Sequence, residues 1–242
     1  MPSMSADPSA SPLADPHDGR PLLLTAATRW EAAPVAAALG LTPAGESRFE
    51  GVFAHRRVTL LKTGVGAPKT ASALGGVKPA DFGLALSVGL CGALQPGIRT
   101  GELVADVAEI ELDYVVPLRE TAQRLGLPLH FGRILHTNVV LSPEMKRKLG
   151  AEHRMLACDM ETAALKRWAR ASGLPAVGLR AVLDELDQSV PADAPEGEDA
   201  ASLARYALAH AKSLPALVMT GWRSARAMKT LSRLLAAYLE AL

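Results

Sequence analysis

The sequence predicts an α/β protein: a single domain with a mixed, mostly parallel central sheet flanked by helices. Three observations carry that expectation. Short apolar runs of strand length alternate with segments of helical spacing, the pattern of strands buried on both faces by crossover helices. The 242 residues are 49% hydrophobic and 21% charged, a composition able to bury a sizeable core. Neither an internal repeat nor a linker interrupts residues 21–242, and this length favours one large domain.

The elements follow in chain order. Residues 21–27 form a short apolar run, and residues 30–39 follow with helical character. A second run at 58–63 is stopped by Gly64 and Gly66, after which 68–74 reads as helix. Residues 82–88 are apolar and lead into Gly89-Leu90-Cys91-Gly92. Residues 129–135, 155–158 and 176–183 complete the expected strands, and helices are expected at 118–125, 143–149 and 160–172. In such a sheet the ligand sits at the carboxyl ends of the strands, so the residues just after each strand matter most.

The two ends differ from this body. Residues 1–20 are rich in Pro, Ser and Asp and are expected to be a disordered tail. They lack the basic start and apolar run of a signal peptide, so a cytoplasmic location is expected. A helical extension is expected from about residue 199. From Ser213 it reads as one long helix, with Leu231, Leu234, Leu235, Tyr238 and Leu242 at helical spacing. No stretch approaches the roughly 18 uninterrupted apolar residues of a membrane span.

Composition excludes several classes. The net charge is +1 and aromatics make up 4%, which argues against a phosphate-backbone partner and against base-stacking platforms, so no nucleic acid is expected. Two cysteines, Cys91 and Cys158, cannot build a disulfide framework or a four-cysteine zinc site. The six histidines show no metal-ligand spacing, and no metal is expected. In Gly64-Val65-Gly66-Ala67-Pro68-Lys69-Thr70 the glycine that a phosphate loop needs before its lysine is Pro68. Cys91 has no histidine near it in sequence, and a small buried thiol is its simpler role.

What remains is a pair of acidic segments at strand ends. Asp159-Met160-Glu161-Thr162 follows one strand and opens a helix, and Arg180-Ala181-Val182-Leu183-Asp184 closes another. Taken singly each has a structural explanation. Asp159 suits a helix N-cap, Glu161 suits a first helical turn, and Asp184 could pair with Arg180.

Together, in order, these segments resemble the nucleoside phosphorylase and nucleosidase family. Gly89-Leu90-Cys91-Gly92-Ala93-Leu94 followed by Gly101-Glu102-Leu103-Val104 is similar to its Gly-rich stretch. Asp159-Met160-Glu161 is similar to its (Glu/Asp)-Met-Glu segment, and 180–184 to its Arg-x-hydrophobic-Ser-Asp strand end. The first strand and the loop bearing Glu31 also match, and the similarity spans about residues 21–191. The tail beyond Ser213, with Leu214-Pro215-Ala216-Leu217 and a basic stretch, further resembles the hopanoid-associated phosphorylases of the family.

The resemblance implies a three-layer α/β/α fold and cleavage of the N-glycosidic bond of a purine (adenine-type) nucleoside, by hydrolysis or phosphorolysis. It admits adenosylhopane as a substrate. It implies no cofactor, phosphate being a possible co-substrate, and a homo-oligomer. Asp184 would be the neutral acid that protonates the leaving base, its pKa raised by burial. Glu161 would accept from the ribose hydroxyls, and Met160 would cover the sugar. Glu31 would activate water, with Trp30 the competing occupant of that position. Gly89, Leu90, Cys91, Gly92, Val139 and Arg180 complete the implied binding set. A non-catalytic nucleoside-binding relative is the alternative from another class.

The departures from the family pattern bear on the acceptor. Where its phosphorylases commonly carry Arg and Ser to hold phosphate, this chain has Ser87 and Leu90, which leaves only a backbone N–H at the second position. Arg29 is the one nearby cation that could compensate. The Ser before the catalytic Asp is Leu183, and residues 136–140 supply Asn138, Val139 and Val140 but no stacking aromatic ring. Hydrolysis is slightly favoured, and an altered or bulky substrate follows. Finally, Trp222, Arg226, Lys229 and Arg233 fall on one stripe of the last helix, and five basic residues against one acid lie between Lys212 and Leu242. That stripe suits an anionic membrane surface or a lipid substrate. A solvated face is the expectation favoured here.

Overall fold

The computed structural model describes residues 19–107, 112–190 and 214–242. The first half contains β1 (Leu22–Ala26), α1 (Arg29–Ala38), β2 (Thr42–Pro43), β3 (Arg48–Phe53), β4 (Arg56–Lys62), α2 (Ala67–Leu74) and β5 (Leu84–Ala93). The second contains β6 (Leu103–Asp106), α3 (Leu112–Arg124), β7 (Leu129–Phe131), β8 (Ile134–His136), α4 (Pro143–His153), β9 (Ala157–Asp159), α5 (Thr162–Arg170), β10 (Ala176–Asp184) and α6 (Leu214–Ala241). The expected tail of residues 1–20 lies outside the described residues except for Gly19 and Arg20, and the expected helical extension lies outside them up to residue 213.

Among the described residues ten strands make one sheet, with the path β2-β3-β4-β1-β5-β10-β6-β7, while β9 pairs with β5 and β8 with β9. The central strands β4, β1, β5 and β10 run parallel. Antiparallel pairs appear toward the edges, between β3 and β4 and between β10 and β6. Both faces are covered, which is why these strands are continuously apolar rather than alternating. Leu22 and Leu24 of β1 point into a core shared with Val35 of α1, Tyr114 and Leu118 of α3, and Leu231, Leu234 and Tyr238 of α6. Leu23, between them, packs on the other face with Leu74 of α2 and Leu165 of α5. The result is three layers, α/β/α.

Several expectations are corrected. Residues 129–135 are two strands rather than one. After β7 pairs with β6, the chain breaks at Gly132 and β8 joins β9 instead. The apolar run expected at 82–88 is a strand from Leu84 that continues through the Gly-rich stretch to Ala93. The helix expected at 118–125 starts at Leu112 and continues through Pro117. Burial of Tyr114 and Val115 offsets the backbone hydrogen bond that the proline removes. The hairpin of β2 and β3 escaped the sequence reading, since its exposed, mixed-polarity residues carry no clean period of two.

On α6, Leu231, Leu234, Leu235, Tyr238 and Leu242 are buried, and the Tyr238 hydroxyl donates to the Tyr114 carbonyl at 3.0 Å. Trp222, Arg226, Lys229 and Arg233 share the solvent face, with the Arg226 guanidinium 5.6 Å from the Trp222 ring centre. Among the described residues no helix is long and apolar enough to cross a membrane.

Candidate active site

A cleft of about 300 Å³ opens at the carboxyl ends of β1, β5, β9 and β10. Eight of the ten implied site residues line it: Glu31, Leu90, Cys91, Gly92, Val139, Met160, Glu161 and Asp184. Gly89 and Arg180 do not. Arg180 is only 1% exposed, and it and Glu31 crowd over Gly89, so neither Gly89 nor Arg180 forms part of the wall.

Glu31 reaches the cleft because α1 begins with a capping box. The Thr28 hydroxyl accepts from the Glu31 N–H at 3.3 Å, and Glu31 Oε2 accepts from the Thr28 N–H at 2.9 Å and from its hydroxyl at 3.1 Å. Oε1 accepts from the Leu90 N–H at 2.8 Å. Trp30, the competing occupant, points outward and is 57% exposed. Arg29 is exposed and does not line the cleft.

Arg180 forms the base of the site. It donates to the Ser87 hydroxyl at 2.6 Å and to the Thr162 hydroxyl at 3.1 Å, and it pairs with Asp159 at 2.6 Å. Glu161 lies 3.6 Å from it and also accepts from the Gly66 N–H at 2.8 Å. The N-cap of α5 is Glu161, without a side-chain cap, rather than Asp159 as expected; Asp159, at the end of β9, accepts from the Thr162 N–H at 3.0 Å. Burial alone would lower the Arg180 pKa, but the carboxylates of Asp159, Glu161 and Glu31 outweigh it and raise it. Burial pushes Glu161 up to about 7, with Arg180 opposing the shift.

Asp184 does not pair with Arg180. At the end of β10 the ladder slips between Val182 and Asp184, a bulge of the kind that aims a side chain at a site. The Asp184 carboxyl then meets the ammonium of Lys146, a residue the sequence reading missed. Within the run Lys146-Arg147-Lys148 composition does not say which charge turns inward. The signal available was helical spacing, because Lys146 shares a face with Gly150, whose Cα packs against the Leu94 carbonyl. Burial raises the Asp184 pKa, and Lys146 opposes the rise.

Burial also raises both thiols, Cys158 to about 12 and Cys91 well above the ordinary range. They remain protonated, in keeping with the buried-thiol reading of Cys91. Glu102, part of the Gly-rich motif, pairs with His130 at 2.8 Å away from the cleft. Asn138 Oδ1 accepts from His136 Nε2 at 3.1 Å and does not line the cleft, whereas Thr137, Val140 and Leu141 do. No aromatic ring is among the described lining residues. Among the described residues no three His, Cys, Asp or Glu side chains gather to hold a metal ion.

Residues 117–219 match the Phosphorylase superfamily. A curated relative similar to this chain is a DeoD-type purine nucleoside phosphorylase of Colwellia psychrerythraea, 23% identical over 160 residues, covering 57% of this chain and 68% of that one. The fold is that of the futalosine hydrolase of Helicobacter pylori, with a TM-score of 0.69, 17% identity, and 93% of this chain and 100% of that one covered. It is equally that of the 5′-methylthioadenosine/S-adenosylhomocysteine nucleosidase of Campylobacter jejuni, with a TM-score of 0.70, 16% identity, and 93% and 100% covered.

Proposed function

We propose that this cleft hydrolyses the N-glycosidic bond of a purine (adenine-type) nucleoside. The observation that carries the reading is the meeting of Glu31, Glu161 and Asp184 in one cleft, each in a different environment, beside an Asp159 that is paired with Arg180. Asp184, raised by burial, supplies the proton to the leaving base. Glu161, held by Gly66 and Arg180, takes the ribose hydroxyls and favours the positive charge that develops on the sugar. Glu31 has three hydrogen bonds across the roughly four acceptor positions of a carboxylate, leaving one for a water. As the C–N bond breaks, its electron pair goes to the base, which takes the Asp184 proton. The water oxygen bonds the anomeric carbon, and its proton passes to Glu31.

Water is favoured over phosphate on electrostatic grounds. The Leu90 N–H that a phosphate would need is already donated to Glu31, and Ser87 carries no charge. A dianion would instead meet the Glu31 carboxylate. The similar structures are a futalosine hydrolase and a methylthioadenosine/adenosylhomocysteine nucleosidase, which supports hydrolysis. Val65, Val139 and Val140 line the cleft and are exposed, so an apolar 5′ substituent fits its mouth. Adenosylhopane, implied by the resemblance of the chain's tail, is a substrate of that kind.

Incubation with a panel of purine nucleosides, with and without phosphate, tests the reading by measuring free base. Base release independent of phosphate is expected. Release only with phosphate would make the enzyme a phosphorylase. The lack of an aromatic ring among the described lining residues and the replacement of the motif serine by Leu183 favour a second reading, a non-catalytic nucleoside binder. Saturable binding without any base release would establish it.

A further inference from the structure

Lys146 is the buried charge that the proposed chemistry leaves without a task. It is 1% exposed on α4 yet lines the cleft. Its Nζ donates to Oδ2 of Asp184, to the Glu185 carbonyl at 3.0 Å and to the Gln188 carbonyl at 3.0 Å, with the Asp184 carbonyl at 3.3 Å. Three protons face four oxygens, so none is left over for a substrate. Lys146 therefore acts through Asp184.

The remaining oxygen, Oδ1, lies beside Gly92, where an added Cβ would stand 3.3 Å from Oδ1 and 3.1 Å from Lys146 Nζ. A side chain here would fit only if this pair gave way by a few tenths of an ångström. The other ionisable groups around it are the two protonated thiols, Cys91 from β5 and Cys158 from β9, together with Asp159, which is committed to Arg180. Glu185, next in the chain, accepts from the Thr100 N–H at 3.2 Å. Lys146 is thus the cation paired with the Asp184 carboxyl.

We propose that Lys146 is a positioning residue for Asp184: it clamps Oδ2 so that the transferable proton sits on Oδ1, and it stabilises the carboxylate left when that proton moves to the base. The inference rests on the reading of Asp184 as the general acid. In that step the Asp184 O–H bond breaks, an N–H bond forms on the base, and Lys146 keeps its own protons. Without the ammonium the acid would hold its proton more tightly and would point less consistently.

The test follows the Asp184 carboxyl carbon by NMR in protein labelled with ¹³C-aspartate, the signal being assigned by its loss in Asp184→Asn. It runs beside the pH profile of kcat/KM for base release. In Lys146→Met the Asp184 midpoint is expected to rise by roughly one to three pH units. The high-pH fall of kcat/KM should move up with it, and kcat should drop at least about tenfold while KM changes little. Lys146→Gln, which keeps a donor for the loop carbonyls without the charge, should show the same midpoint shift if Lys146→Met does not fold. An unmoved midpoint in either folded variant overturns the proposal, because a purely structural staple would lower Tm alone. Wild-type protein that releases no base from any nucleoside sinks the general-acid reading and this role with it, and the NMR midpoint shows whether the electrostatic coupling existed.

Discussion

A carboxyl group must be neutral to donate a proton and charged to stabilise a cation, and one cleft here asks both of its acids. Asp184→Asn is nearly isosteric and can still accept from Lys146, yet it has no acid proton. Base release should fall about 10²–10⁴-fold with Tm retained, and near-normal turnover would remove Asp184 from the mechanism. In the proposed reaction Glu161 works as a carboxylate, and burial pushes its pKa up to about 7. The KM for ribosides should therefore rise as pH falls below about 7, and Glu161→Gln should abolish that dependence while lowering kcat/KM. The sign for stability is opposite. A carboxyl raised above its unfolded value supports the fold most fully at acid pH, and that support is lost as pH rises through about 7. Wild-type Tm should accordingly decline between pH 4.5 and 7.5 relative to Glu161→Gln, and parallel curves would show that Glu161 does not titrate there. Glu31→Gln separates capping from catalysis, because either side chain completes a capping box. Unchanged helix content with loss of base release is expected by circular dichroism and assay, whereas full activity would make Glu31 a cap and nothing more.

At the scale of elements, the close approach of three of them sets the site. β5 passes between α1 and β10, and at Gly89 it has φ +152°. A Cβ at Gly89 would lie 2.3 Å from Glu31 Oε1 and 2.5 Å from Arg180 Nη1. Gly89→Ala must therefore push apart the Glu31 carboxylate and the Arg180 guanidinium. A destabilisation of about 1–3 kcal/mol is expected by denaturant unfolding, together with loss of activity. A stable and fully active variant would show that this contact is not needed. The bulge at the end of β10 is the counterpart on the other side, placing Asp184 opposite Gly92 and within reach of α4.

For the whole molecule, the three-layer arrangement leaves α6 with two unlike faces. One fills the core against α1 and α3, and the other carries Trp222 (60% exposed), Arg226, Lys229 and Arg233. Arg226 lies over Trp222, an arrangement that already satisfies the ring in water. The protein is expected to stay in the supernatant when spun with anionic vesicles. Sedimentation at low salt that disappears when Arg226, Lys229 and Arg233 become Gln would instead assign this face to a lipid surface. The α6 face also touches the site's supporting loop, since Arg223 donates to the Gln188 side chain at 3.1 Å and the Gln188 carbonyl accepts from Lys146.

By itself the sequence determined the layering, because apolar runs alternating with amphipathic segments can be buried in few other ways. It also determined which strand ends carry the acids, since Glu31 and Glu161 each follow a recognisable strand and Asp184 closes one, in the order of the family that the sequence resembles. Only the tertiary structure decided the partners. Arg180 is four residues from Asp184 and pairs with Asp159 and Glu161 instead, because it points under β5 while a bulge turns the strand end toward α4. Lys146 was hidden for the same reason: three adjacent cations read alike along a chain, and long-range packing selects the one that is buried. Local pattern is set by neighbours in sequence, but the charge that meets a buried carboxyl is set by which elements the folded sheet brings together.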